Sequence, residues 1–197
     1  MADNELGIIA SKEERLEEAK GFTLMSDVFM SVALEDIPAC QYVVRILMNR
    51  PDLVVTSVKT QYTISKITSL DARLDVLAEI TAVGSDNKLV NIEIQRRNTV
   101  DHSRRTRFYG AMIDSEYLQK GAYYNELPEV YIFYISETDI WNGGKVAYEV
   151  SKILNGQPYD DGIHTVYINA TVNDGSAIAS LMQYFKSCEP QSVQLRG

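Results

Sequence analysis

Cysteine is almost missing from this chain: only Cys40 and Cys188 occur among 197 residues, and they stand far apart. So sparse a pair suggests neither a disulfide framework nor a zinc knuckle. Histidine is equally scarce, with His102 and His164 alone, which argues against a His-rich transition-metal site. No apolar run approaches the roughly 20 residues that span a bilayer, and the N-terminus has no hydrophobic region of the secretory-signal kind. These deficits predict a cytoplasmic protein with no membrane partner. Bases are also outnumbered, 19 Lys and Arg against 27 Asp and Glu, for a net charge of −8. Such a balance disfavours general affinity for nucleic acid, because phosphate binding is driven by Lys and Arg.

What is present qualifies that exclusion. Hydrophobic residues make up 45 % and charged residues 23 %, the proportions of an ordinary globular chain long enough to bury a substantial core. The bases are not evenly spread. Arg96, Arg97, Arg104, Arg105 and Arg107 fall in one 12-residue window that contains a single acid, Asp101. Much of the acidity lies elsewhere, notably at Glu13, Glu14, Glu17 and Glu18. Five cations at the positive end of a helix dipole are unfavourable unless an anion lies over them, so the window is a candidate phosphate-contacting segment.

Immediately before it stands an amphipathic β-hairpin. Its first strand runs from Arg73 to Thr81 and its second from Lys88 to Gln95. Alternation puts Leu74, Val76, Ala78 and Ile80 on one face with Val90, Ile92 and Ile94, and puts Asp75, Glu79, Asn91, Glu93 and Gln95 on the other. Keeping the apolar faces together requires paired residue numbers to sum to an even number. Asp75 therefore faces Glu93 or Gln95, with the other on the diagonal. Such neighbours have Cβ atoms roughly 5 to 8 Å apart, near enough for two carboxylates to share a metal ion. The plainer expectation is an acid-bearing face turned to water.

Residues 1–20 read as a polar arm or solvated helix, residues 21–188 as the folded domain, and residues 189–197 as a tail. Asp27 to Asp36 is expected to be helical, and Pro38 restarts a helix through Leu47. Leu53 to Ser65 reads as a strand, and the hairpin follows, turning at Gly84-Ser85-Asp86-Asn87. Ser103 is placed to cap a helix that reaches Lys120, with Gly121 just past its end. In it Phe108, Ala111, Met112, Ser115 and Leu118 recur at helical spacing toward the sheet. Glu129 to Ile135 is a buried strand, Lys145 to Val150 and His164 to Ala170 are two more, and Ala177 to Lys186 is a closing helix. The fold class is α/β, a mixed central sheet flanked by helices.

The order helix, three strands, helix, strand resembles the PD-(D/E)XK nuclease core, which is a restriction-endonuclease-like fold. Asn91-Ile92-Glu93-Ile94-Gln95 is similar to the third strand of its recombination-promoting nuclease and transposase branch. The resemblance continues in Arg104-Arg105-Thr106-Arg107-Phe108-Tyr109, in Tyr117-Leu118-Gln119-Lys120-Gly121, and in the stretch from Tyr123 to Ile132. Phe22 to Phe29 resembles the opening of that branch, where an Asp precedes a Phe-Lys pair; Met30 stands in the lysine's place. The likeness covers roughly residues 22–186.

It implies a DNA endonuclease that uses Mg²⁺ or Mn²⁺, acting in mobile-element recombination or defence. Asp75 and Glu93 would be the metal ligands, with the Ile94 carbonyl as a further oxygen. Gln95 would position the water, and Arg96, Arg97, Arg104, Arg105 and Arg107 would contact the DNA backbone. Gln95 carries no charge where the wider superfamily has lysine. The residues thus leave open an inactive nuclease fold that binds nucleic acid or serves as a protein-interaction module, and a homodimer is compatible with either. Glu79 is expected to be solvated or ion-paired, Glu35 a surface residue, Tyr109 a packing residue and Asp101 a helix-start residue beside His102.

Overall fold

The computed structural model describes residues 23–65, 71–81, 88–95 and 101–187. The N-terminal arm, the hairpin turn at 84–87, the domain limits at 21 and 188, Cys188 and the tail lie outside them. Helix α1 (Asp27–Leu34) leads into α2 (Ile37–Met48), where Asp36 caps by accepting the Ala39 N–H at 2.9 Å. Pro38 in the first turn loses no helical bond, because the N–H it lacks would have no partner there. Strands β1 (Val54–Ile64), β2 (Ala72–Thr81) and β3 (Lys88–Gln95) follow, then α3 (His102–Tyr117) and β4 (Glu129–Ser136). The chain continues through β5 (Ala147–Glu149), β6 (Ile153–Leu154), β7 (Gln157–Pro158) and β8 (Ile163–Asn169) to α4 (Ala177–Ser187).

Six strands form one sheet in the order β1-β2-β3-β4-β8-β5. β1, β2 and β3 are antiparallel neighbours, β3, β4 and β8 are parallel, and β5 returns antiparallel to β8. A parallel β3–β4 pair needs a crossover, which α3 supplies. The mixed sheet flanked by four helices is the architecture of a restriction-endonuclease-like core. One face buries Val76, Ala78, Ile80, Val90, Ile92 and Phe133 against Met30 and Leu34 of α1, Val44 and Leu47 of α2, and Met182 and Phe185 of α4. The other buries Leu77, Leu89, Val130 and Ile132 under Tyr109, Met112 and Ile113 of α3. Among the described residues no helix is long and apolar enough to cross a membrane.

Several expectations need correction. The acid-bearing face of the hairpin is not wet: Asn91 is fully buried and Glu93 2 % exposed, because α3 lies over that side. Leu74 does not share the face of Val76; it packs with Ile64, Ala72 and Ile113 on the α3 side. The alternation breaks beside Asp75, where Gln61 on the adjoining strand has a φ of 49° and turns the local side chains over. Helix α3 begins at His102, so Ser103 is not its cap, and it ends at Tyr117. Gly121, at φ 91°, belongs to the turn beyond, where Ala122 N–H bonds to Gln119 O.

The buried stripe of α3 also differs, comprising His102, Thr106, Tyr109, Gly110, Met112 and Ile113, while Ala111 and Ser115 are exposed. Gly110 sets this stripe. A Cβ there would lie 3.2 Å from Ile163 Cδ1 and 3.5 Å from Ile132 Cδ1, so the helix passes close over β8 and β4 at this point. The small β6–β7 ribbon was unforeseen. Its signal was Asn155-Gly156, at φ 50° and 79°, the positive pair that a two-residue hairpin turn requires.

The Gly110 contact makes a test of how α3 is seated. Gly110→Val should lower unfolding free energy by about 1 to 3 kcal/mol, as overpacking does, measured by urea denaturation. Unchanged stability would mean that α3 sits farther from the sheet.

Candidate active site

The ladder between β2 and β3 runs from Ile80 opposite Lys88 to Val76 opposite Ile92. Continued by one residue, that register sets Asp75 opposite Glu93, the first of the two pairings expected from parity. Here side chains take over as acceptors. The Ile94 N–H donates to Asp75 Oδ2 at 3.0 Å, and the Asp75 N–H donates to Glu93 Oε1 at 3.2 Å. Each strand thus offers a main-chain donor to the carboxylate of the other. Ser31 of α1 fixes the back of the joint, its hydroxyl lying 3.2 Å from Asp75 O and 2.6 Å from Asp27 O while accepting from the Gln61 amide.

Burial and mutual repulsion act strongly on this pair. Desolvation, then the negative charge of Asp75, push the Glu93 carboxyl up to about 8, and the nearby Asn91 amide pulls it back only in part. Burial also raises Asp75, opposed by the Ile94 N–H, and Asp27 adds further repulsion. Glu93 Oε2 is sealed from solvent, and no hydrogen bond of normal geometry reaches it from the described residues; both polar atoms of the Asn91 side chain are in the same position.

A cleft of about 560 Å³ opens beside the pair, lined by Asp27, Asp71, Arg73, Asp75, Asp101, Arg104, Arg105, Phe108 and Tyr109. Arg105 is half-buried and donates to Tyr109 Oη at 2.7 Å. Its charge lowers the proton affinity of both Asp75 and Glu93, though less than burial raises it. Arg104 borders the cleft and Arg107 is exposed.

Glu93 belongs to a row that crosses the sheet. Register pairs Glu93 with Tyr134 on β4, Tyr134 with Tyr167 on β8, and Tyr167 with Tyr148 on β5. Helix α3 satisfies these phenols from above. Tyr134 Oη lies 3.2 Å from His102 Nδ1, and Tyr167 Oη lies 2.9 Å from Thr106 Oγ1. Burial lowers the proton affinity of His102, which favours the neutral imidazole.

Asp75 and Glu93 are therefore brought together, with Arg104 and Arg105 at the cleft. Gln95 ends β3, but its side chain, like Arg96 and Arg97, lies outside the described residues. Glu79 is partly buried and accepts from Tyr117 Oη at 2.9 Å, a tie between β2 and α3. Glu35 is exposed and accepts from Thr60 Oγ1, away from the cleft; the first-helix acid that borders it is Asp27. Sequence reading passed over Asp27 as a side chain of the cleft, although an acid in the opening turn of a helix is a visible signal. Tyr109 both packs against the sheet and borders the cleft. Tyr134 and Tyr167 were also missed; a phenol in a buried apolar strand needs a partner for its hydroxyl, and that need was the available sign.

A divalent cation suits these residues. Among the described residues no group of three or more His, Cys, Asp or Glu is placed to hold a metal. Mg²⁺ needs no such group, since it binds one or two carboxylates and keeps several waters. The buried Glu93 Oε2, with no hydrogen bond of normal geometry from the described residues and the charge of Asp75 nearby, is an oxygen that a cation would satisfy.

Neither the curated proteins nor the solved structures contain a match to this chain. The family model of PD-(D/E)XK nuclease family transposases matches residues 49–174, a span that takes in Asp75, Glu93, all of α3 and the tyrosine row. On the strength of that match, which covers well over half its length, the chain belongs to the PD-(D/E)XK nuclease family transposases.

Proposed function

We propose that this nuclease-family protein is a divalent-metal-dependent DNA endonuclease of the cytoplasm, serving mobile-element recombination or defence. The observation that carries the reading is the reciprocal joint of Asp75 and Glu93, two buried carboxylates held face to face beside a cleft bordered by arginines. Asp75 and Glu93 would hold Mg²⁺ or Mn²⁺, with the Ile94 carbonyl as an additional oxygen. When bound, such an ion supplies Lewis-acid polarisation of the phosphoryl group and a nucleophilic water at neutral pH.

The chain's own groups do the rest. Gln95 orients the attacking water through its amide, as acceptor and donor. Arg105, fixed by Tyr109, holds positive charge over the cleft where negative charge develops on the phosphate. Arg104 and Arg107, with Arg96 and Arg97, bind backbone phosphates on either side of the cut. His102, kept neutral and tied to Tyr134, holds the first turn of α3 in register with Glu93.

Cleavage of supercoiled plasmid with Mg²⁺ or Mn²⁺, against EDTA, is the direct test. Gln95→Ala should slow it by roughly 10- to 100-fold, the loss of one oriented contact, and Gln95→Lys should retain it. DNA binding without cleavage under any metal would favour the inactive-binder reading instead.

The carboxylate pair makes a pH-dependent prediction. Glu93 holds its proton up to about 8 in the fold, against an ordinary value of 4.5, so the native state binds more protons than the unfolded chain between those limits. Without metal, the stabilisation from neutral Glu93 is full below about 4.5 and is lost as pH rises through about 8. The melting temperature should fall across that window, and Glu93→Gln should flatten the fall. Millimolar Mg²⁺ should restore stability chiefly at the alkaline end. An equal metal shift in Asp75→Ala/Glu93→Ala would remove the metal assignment.

Phosphate contact has its own readout. Each arginine that neutralises a phosphate contributes about 0.9 to the slope of log affinity against log salt on duplex DNA. Replacing Arg104, Arg105 and Arg107 with Gln should flatten that slope by about 2 to 3 and weaken unrelated sequences alike. A slope that does not change would exclude these residues from the DNA interface.

A further inference from the structure

Gln61 carries strain in the middle of a strand. Its φ of 49° is left-handed backbone inside β1, where an L side chain is seldom found. The other non-glycine residues of this kind among the described ones are Asn49, Asn142 and Asn155. They sit in loops or at a helix end and are of the type that tolerates the conformation. No turn calls for it at Gln61, because β1 pairs with β2 on both sides, Thr60 with Val76 and Tyr62 with Leu74. Those two pairs bracket Gln61 opposite Asp75. Asp75 thus has Gln61 beside it on one strand and Glu93 on the other. Strain of this sort persists only where surrounding contacts hold it, and it gathers at functional sites.

The contacts that hold Gln61 form a chain. The Arg73 guanidinium donates to Gln61 Oε1, and Gln61 Nε2 donates to Ser31 Oγ at 2.6 Å. Ser31 Oγ lies 3.2 Å from Asp75 O. The amide is fixed in one orientation, since turning it over would set its NH₂ against the guanidinium. Arg73 borders the cleft, and its charge reaches Asp75, as that of Arg105 does from α3. The tie to Arg73 comes from a neutral amide, which fixes the cation without cancelling its charge.

We propose that Gln61 is a positioning residue whose amide presents Arg73 to the cleft as a phosphate-binding group. The DNA backbone is then held from β2 by Arg73 as well as from α3 by Arg104 and Arg105. The inference rests on the nuclease reading and extends its DNA contacts to the strand side of the cleft. A guanidinium carries five N–H donors in a planar fork, so one tie still leaves donors that suit a phosphate. An arginine free to swing would lose rotamer freedom on binding, and the Gln61 amide removes that cost beforehand. The strained backbone of β1 is the means of bringing the amide between Ser31 and Arg73.

The test uses the full chain and labelled duplexes of unrelated sequence, in EDTA so that no DNA is cut. Arg73→Gln should flatten the slope of log affinity against log salt by about 0.9, one phosphate contact. It should weaken binding roughly 3- to 10-fold, the scale of one exposed charge contact. Gln61→Gly removes the amide and supplies a residue that accepts the positive φ. Its melting temperature should hold while its DNA affinity falls, and adding Arg73→Gln should cost little more. Losses that add in full, or Gln61→Gly with unchanged affinity and slope, would overturn the positioning role. An unchanged slope in Arg73→Gln, with the α3 arginine variants still flattening it, would overturn the phosphate contact and leave the nuclease reading standing. Absence of wild-type DNA affinity at low salt, in EDTA and in Ca²⁺ alike, would overturn both readings together.

Discussion

Two carboxylates that repel each other are held together because each accepts a main-chain N–H offered by the opposite strand. The pairing of β2 with β3 brings Asp75 and Glu93 level, and the side chains then carry the joint beyond the last ladder pair. Those N–H donors oppose the burial and mutual repulsion that raise the proton affinity of both carboxyls. Arg105 tempers that repulsion from α3. The cleft opens beside this clasp, with Asp75 in its wall and Arg104 and Arg105 at its border.

Strand parity made the clasp legible in the sequence. Any register that keeps the apolar faces together sets Asp75 opposite Glu93 or Gln95, because a slip of one residue would turn the apolar set outward. Parity does not say whether a face meets water or a helix, and for this reason the acids were expected on a wet surface. Their burial comes from α3, a stretch with a weakly patterned sequence that passes close to the sheet at Gly110. Asp27 and Glu35 stand at opposite ends of α1, and the C-terminal end puts Glu35 beside Thr60 of β1 and not at the cleft. The reversal at Leu74 follows from the backbone of Gln61, a residue type that gives no warning of a positive φ. Where the chain announces its turns, as at Asn155-Gly156, the structure follows.

The buried polar row shows how a sheet interior can carry chemistry without unmet hydrogen bonds along most of its length. Tyr134 and Tyr167 present hydroxyls under a helix, and α3 answers them with His102 and Thr106. Asn91 and Glu93, like His164 and Asn169 on β8, keep buried side-chain atoms without a hydrogen bond of normal geometry from the described residues. Unsatisfied polar atoms are rare in folded cores and demand a reason. Three such atoms, on Asn91 and Glu93, lie on β3, and this sets that end of the row apart from the tyrosines.

The outermost strand, β1, carries a separate consequence. At 11 residues it is long for the border of a sheet, and such a border is an invitation to add a further strand from another molecule. The register slips between Val55 and Ser57, and the positive φ at Gln61 distorts the strand again farther along. Helix α2 occupies the start of the border, with Gln41 accepting the Val55 N–H and Arg45 donating to Leu53 O. At the opposite border β5 has only three residues. Among the described residues, each border of the sheet is thus interrupted or short, which makes it a poor template for a strand from a neighbouring chain.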